Sequence, residues 1–250
     1  MAYDVPDIEE YSWGSDSTFG STSVTHFILG PRGKVGFVRD ISCDVTTSMA
    51  GTTTVPEIDI GISSGDATWG RYRLGTTAIL GYPVGFHRAS TEVITGNPPR
   101  TLADYAGHVI LDGGPYGSGG SVTGGSSTTQ NPTGRIPQSH YTVINVINGA
   151  GNVPRIFVQE DITALAVGMG VWVQGVAGAT GTNSTTVPVV ISALNTANRW
   201  IETSGTFGGT YTSGGLVNLA IWVTCLAGAT ASAGGGYVRV KVQWIGVNNP

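Results

Sequence analysis

Charge is scarce in this chain of 250 residues: 11% are Asp, Glu, Lys or Arg, and the 12 Lys and Arg are scattered. Neutralising phosphates takes cationic side chains grouped on one surface, so nucleic acid is not an expected partner. Long apolar runs are missing as well. Nothing approaches the roughly 18 consecutive apolar residues of a membrane helix, and no membrane partner is expected. The first twenty residues hold Asp4, Asp7, Glu9, Glu10 and Asp16 without the basic n-region of a signal peptide. Cysteine is reduced to Cys43 and Cys225, both at apolar strand positions, which reads as a pair of buried, reduced thiols. Stretches rich in Ala, Leu, Glu and Lys are absent, and with them the usual material of helices.

What remains is Gly, 39 residues of it, with Thr, Ser and Val. That composition favours strands and turns. Near the end, Leu219, Ile221, Val223 and Cys225 alternate, and after a small-residue turn Val238, Val240, Val242 and Trp244 alternate with Tyr237, Arg239, Lys241 and Gln243. Period-two patterning of this kind predicts antiparallel strands with one buried and one wet face. Further strands are predicted at 24–29, at 35–45 with odd positions inward and a bulge near Arg39, at 58–62 with Glu57 and Asp59 outward, and from Trp69 onward. Residues 80–87 and 108–111 are candidate strands. Residues 113–134 are almost wholly Gly, Ser, Thr and Asn, the composition of a loop. Short strands at 142–146, 154–158, 171–173, 187–191 and 200–202 form a small β module, closed by Tyr211 to Gly215. Residues 1–23 are acidic and aromatic with no period, and two readings stand: an arm that orders against a neighbour, or a terminal strand on its own sheet.

No catalytic constellation emerges. Gly61-Ile62-Ser63-Ser64-Gly65 matches the G-x-S-x-G pattern, but that motif needs a strand turning into a helix, and none is predicted after Ser63. A hairpin turn is the expectation, and hydrolysis through Ser63 the weakest of three functional readings. Gly33-Lys34 lacks the flanking residues of a phosphate loop, since Ile28 and Val35 stand where Gly and Ser or Thr would be required. His26, His87, His108 and His140 have no metal-ligand spacing, so no metal or cofactor is expected. Glu57 and Asp59 read as charges on a solvated strand face rather than a glycosidase pair. The Asn183-Ser184-Thr185 sequon reads as chance.

Six segments stand out together: His26-Phe27-Ile28-Leu29-Gly30-Pro31-Arg32-Gly33-Lys34, the strand at 36–47, Ile58-Asp59-Ile60-Gly61, Arg73-Leu74-Gly75-Thr76-Thr77-Ala78, Ile136-Pro137 and the final strand from Gly235 to Trp244. In their order they resemble the jelly-roll decoration, or cement, proteins of tailed-bacteriophage capsids. The motifs Gly175 to Thr180, Asn195 to Trp200 and Gly209 to Gly215 are similar to a small β-barrel module of phage head and tail proteins. That module's usual His-Gly-Leu is replaced here by Ala164-Leu165-Ala166, and its Gly-Asp by Met169-Gly170. The resemblance implies an all-β, antiparallel jelly-roll sandwich formed by 24–141 plus 219–250, an inserted β-barrel-like module at 142–218, and an N-terminal arm at 1–23. It further implies a non-enzymatic virion protein on the outer capsid surface, with the major capsid protein and its own copies, as a homotrimer, for partners. Tyr3, Tyr11, Trp13, Phe19 and Tyr116 are the candidate capsid or subunit contacts. The second functional reading is a head-fibre or tail adhesin binding host glycan, with Trp172, Trp200 and Tyr211 stacking on sugar rings.

Overall fold

A computed structural model describes residues 7–18, 23–50, 57–66, 68–73, 81–82, 85–88, 136–226 and 233–246. Every regular element among them is a strand, and every pairing given by register is antiparallel. The chain divides into two compact units. One is Met1–Ile28, Gly36–Ile136 and Trp222–Ile245; the other is Leu29–Val35, Pro137–Ile221 and Gly246–Pro250.

In the first unit, β1 (Asp7–Thr18), β16 (Ala233–Gly246), β3 (Lys34–Ala50) and β6 (Gly81–Tyr82) lie side by side, and β7 (Gly85–Arg88) also pairs with β3. A second set joins β2 (Val24–Leu29) and β4 (Glu57–Gly61) to β15 (Leu216–Leu226), with β5 (Gly70–Arg73) beyond β4. The pattern of β16 is realised as predicted: Val238, Val240, Val242 and Trp244 are buried and Tyr237 is exposed.

Four expectations are corrected. β15 has no wet face from Val217 to Ile221 or from Val223 to Cys225: every residue in both runs is buried, so both faces of the strand are covered there. Asp59 is 0% exposed rather than solvated, standing across from buried Thr224 in an equally interior strand. In β3 the odd positions Val35, Ile41, Cys43 and Val45 are buried as expected, but Arg39 is exposed between buried Val38 and Asp40. The alternation thus breaks at Arg39, where a bulge is predicted. Finally, of the two readings of residues 1–23, the described part is a terminal strand. Asp7 to Trp13 pair with Trp244 to Val238, and the ladder resumes at Ser17 after an irregularity. Its period was illegible because Asp7 to Glu10 are all exposed at the edge of the sheet.

The second unit contains β8 (His140–Asn148), β9 (Pro154–Val158), β10 (Gly170–Gln174), β11 (Ala177–Thr180), β12 (Val189–Asn195), β13 (Trp200–Thr203), β14 (Gly208–Ser213) and the first part of β15. Six of these pair in a closed ring: β15 with β8, β8 with β9, β9 with β13, β13 with β12, β12 with β10, and β10 with β15. Closure removes free edges, and for so few strands the interior holds side chains only. Register places Tyr141, Val143, Val146, Ile156, Val158, Val171, Val173, Ile191, Ile201, Val217 and Leu219 on the inner side, all buried. β11 and β14 pair separately. They approach so closely that a Cβ on Gly178, at φ +83°, would lie 2.1 Å from the Thr210 carbonyl oxygen.

Candidate functional site

The serine of the G-x-S-x-G match sits in a hairpin. β4 turns through Ser63 to Asp66 toward the strand β5, with no helix among the described residues between them. Asp66 Oδ1 accepts the Ile62 N–H at 3.1 Å and the Thr68 N–H at 2.9 Å, and the Asp66 N–H donates to the Ser63 carbonyl at 3.1 Å. This is a turn stapled by an aspartate, not an elbow that presents a nucleophile. Among the described residues no group of three or more His, Cys, Asp and Glu side chains converges as a metal would require. The sequon asparagine braces its own loop: Asn183 Oδ1 accepts the Val176 N–H at 3.0 Å, and its Nδ2 donates to the Val176 carbonyl at 2.8 Å.

Two of the proposed contact residues are engaged inside the first unit. The Tyr11 hydroxyl donates to Glu9 and accepts the Trp244 indole N–H at 3.1 Å. Burial and the neighbouring Glu9 raise its pKa above the usual phenol value, so it stays protonated. Trp13 stacks on His26 with ring centroids 4.9 Å apart. Tyr3, Phe19 and Tyr116 lie outside the described residues, as do the 113–134 loop and the candidate strand at 108–111. Along β1 the outward side chains include Ile8, at 62% exposure, and Glu10, which reaches Lys241 at 3.2 Å.

Cys43 and Cys225 are both buried thiols of the first unit, and they form no disulfide. Burial, followed by the influence of Cys225, pushes the Cys43 thiol up to about 12. Only thiolate reacts with disulfide reagents. Native protein at pH 8 is therefore expected to be inert to a chromogenic aryl disulfide, with both thiols titrating once urea unfolds the chain. Rapid release of one equivalent from folded protein would show that Cys43 is not sealed in the core.

On the outer side of the ring of six strands, two groupings stand out. In the first, Arg155 and Glu202 face each other across β9 and β13, with Nε and Nη2 at 2.9 and 2.6 Å from Glu202 Oε1. The same oxygen accepts the Ala150 N–H at 3.0 Å, and the Arg155 guanidinium lies 4.3 Å over the Trp200 ring. In the second, three directly paired residues form a row across three strands: Trp172 on β10, Asn218 on β15 and His140 on β8. Burial, then the nearby Arg32 charge, lowers the His140 pKa below its usual value, only partly opposed by Asn218 and Glu160. The imidazole is therefore neutral near pH 7. Of the aromatic residues suggested for sugar stacking, Trp200 has a face covered by Arg155, and Tyr211 donates its hydroxyl to the Gly214 carbonyl at 3.1 Å. Sequence reasoning named Trp172 for sugar stacking and His140 only as a histidine without metal-ligand spacing, and it did not single out Asn218. The available signal was one polar residue, Asn218, inside the apolar run of β15; its neighbours depend on register, which the sequence does not carry.

Compared with known proteins, the chain matches no family model, no curated protein and no solved structure.

Proposed function

We propose that this chain is a structural virion protein that decorates a bacteriophage capsid from outside and stabilises it by bridging neighbouring capsid subunits. Its partners are the major capsid protein and its own copies in a trimer, and no catalysis or cofactor enters. The architecture proposed is a jelly-roll sandwich carrying an inserted β-barrel-like module. The single observation behind this reading concerns the segments with the resemblance. β2, β3, β4 and β16, drawn from opposite ends of the chain, lie together in one compact all-β unit, as that family's domain requires. Within that unit the chain passes repeatedly between its two sets of strands, from β2 to β3, β3 to β4, β5 to β6 and β15 to β16, a habit of jelly rolls. A rigid sandwich suits a protein whose work is to add contact area and resist outward pressure. It has no substrate to turn over, and loops and terminal segments supply the contacts.

The test is reconstitution. Purified protein mixed with emptied or expanded shells that lack it is expected to sediment with them at a fixed ratio to the capsid protein and to raise their resistance to heat. Protein that leaves such shells bare at micromolar concentration, yet binds host cells, would replace this reading with that of an adhesin.

A further inference from the structure

In the first unit, the outward face of β1, β16, β3 and β7 is more apolar than a wet face needs to be. Phe86 on β7 and Tyr237 on β16 are 57% and 39% exposed. The cations of this face are held in place. The Arg239 guanidinium lies 5.8 Å over the Phe86 ring, and Arg239 and Lys241 reach Glu10 at 3.9 and 3.2 Å. Arg39 lies 5.5 Å over Phe37, and its Nε donates to Gln243 Oε1 at 2.7 Å. With half-buried Asp44, paired directly with Phe86, the face sets three cations against two carboxylates. Open aromatics beside fixed arginines, nearly balanced in charge, are the composition of a contact with protein; a polyanion calls for a larger excess of cations.

The same sheet carries the opposite charge at its rim. Among the described side chains of the first unit, the exposed carboxylates are Asp7, Glu9 and Glu10, all on β1. β1 ends the sheet on one side, and Phe86 stands on the other side, beyond β3. We propose that copies of this chain join head to tail through this sheet, the acidic rim of β1 in one copy seated against the Phe86–Arg239 side of the next. Exposed Ile8, between Asp7 and Glu9, supplies an apolar contact for Phe86. A two-fold pairing of β1 with itself sets carboxylates against carboxylates and is disfavoured. Unlike ends that attract and like ends that repel select a heterologous contact, which closes into a ring when its rotation allows. This contact rests on the trimer of the proposed function and gives that trimer its surface.

The experiment is sedimentation velocity with light scattering on the full chain, up to about 100 µM in low salt. A species of fixed size above two copies is expected, three in the trimer, and it should dissociate as salt is raised. Phe86→Ser and Glu9→Lys, both at exposed positions, should each weaken assembly at least about tenfold without moving the unfolding midpoint. Arg239→Glu should do the same, and combined with Glu9→Lys it should restore assembly, since the reversed charges complement each other again. Within one chain Glu9 stands across from Val242 and Arg239 across from Ser12, so rescue reports a contact between chains. The proposal is overturned if the chain stays monomeric or stops at two copies, if folded Phe86→Ser and Glu9→Lys assemble as before, or if the double variant is not rescued. Should Arg239→Glu fail to fold beside Glu10, Phe86→Ser and Glu9→Lys decide the matter. Shell reconstitution separates this contact from the capsid reading: a monomer that still sediments with shells ends the first and leaves the second standing.

Discussion

Replacing Trp244 with alanine is expected to destabilise the first unit by about 3–5 kcal/mol, the cost of emptying a fully packed aromatic site. The side chain is 1% exposed, and its indole N–H donates to the Tyr11 hydroxyl at 3.1 Å, tying β16 to β1. Its ring also fills the space over Gly36, where a Cβ would come within 2.5 Å of Cζ3. Deletion therefore opens a cavity, removes a hydrogen bond and loosens the strand that precedes it. Trp244→Phe keeps most of the volume and should cost less than half as much. Urea unfolding followed by circular dichroism gives the total, and hydrogen exchange on peptides from β3 and β16 locates it. A loss under about 1 kcal/mol would mean that the site collapses around the missing ring.

The second large effect belongs to Glu202. It is 5% exposed and binds Arg155 twice and the Ala150 N–H once, pinning the β8–β9 turn to β13. Removing one member of such a pair strands the other, a loss of about 3–5 kcal/mol when both are fully buried. Arg155 keeps 28% of its side chain in solvent, so about 2–3 kcal/mol is the expected cost of Glu202→Ala. Burial alone would raise the carboxyl pKa, but the Ala150 N–H and the bonds and charge of Arg155 outweigh it and hold the group below 4.5. A depressed native pKa means stability that is fully present above the ordinary value and lost as pH falls through the native one. The second unit should therefore weaken as pH drops below about 4.5, and Glu202→Gln should flatten that slope. An unchanged acid profile in the glutamine variant would show that other carboxylates govern acid unfolding.

The legible parts of this protein were those where one residue type reports one environment. In β16, four apolar side chains alternate with polar ones because one face of the strand meets the core and the other meets water, and the pattern carried over intact. The turn at Ser63 was equally plain, since Gly65 and Asp66 are turn residues and no helical period follows. β15 was harder. Its apolar run announced burial, but whether one face or both are covered depends on what packs over the sheet, and both parities of β15 are buried at 217–221 and 223–225, so the wet face assigned to it does not exist there. Asp59 failed for the same reason: a carboxylate on an alternating strand looks solvated until its strand proves to be interior. β1 was hidden in the opposite way, because an edge strand with exposed Glu9 and Glu10 has no apolar stripe to show.

The Trp172–Asn218–His140 row marks the boundary. Composition and period were enough to make this an all-β chain of short antiparallel strands, since Val, Thr and Gly at period two can satisfy their backbone groups in little else. Which strands lie side by side is a matter of pairing between residues far apart in sequence, and a shift of one position would turn every side chain to the opposite face. Register, set by the whole fold closing at once, brought residues 140, 172 and 218 into line, sealed Glu202 against Arg155 and seated Trp244 over Gly36.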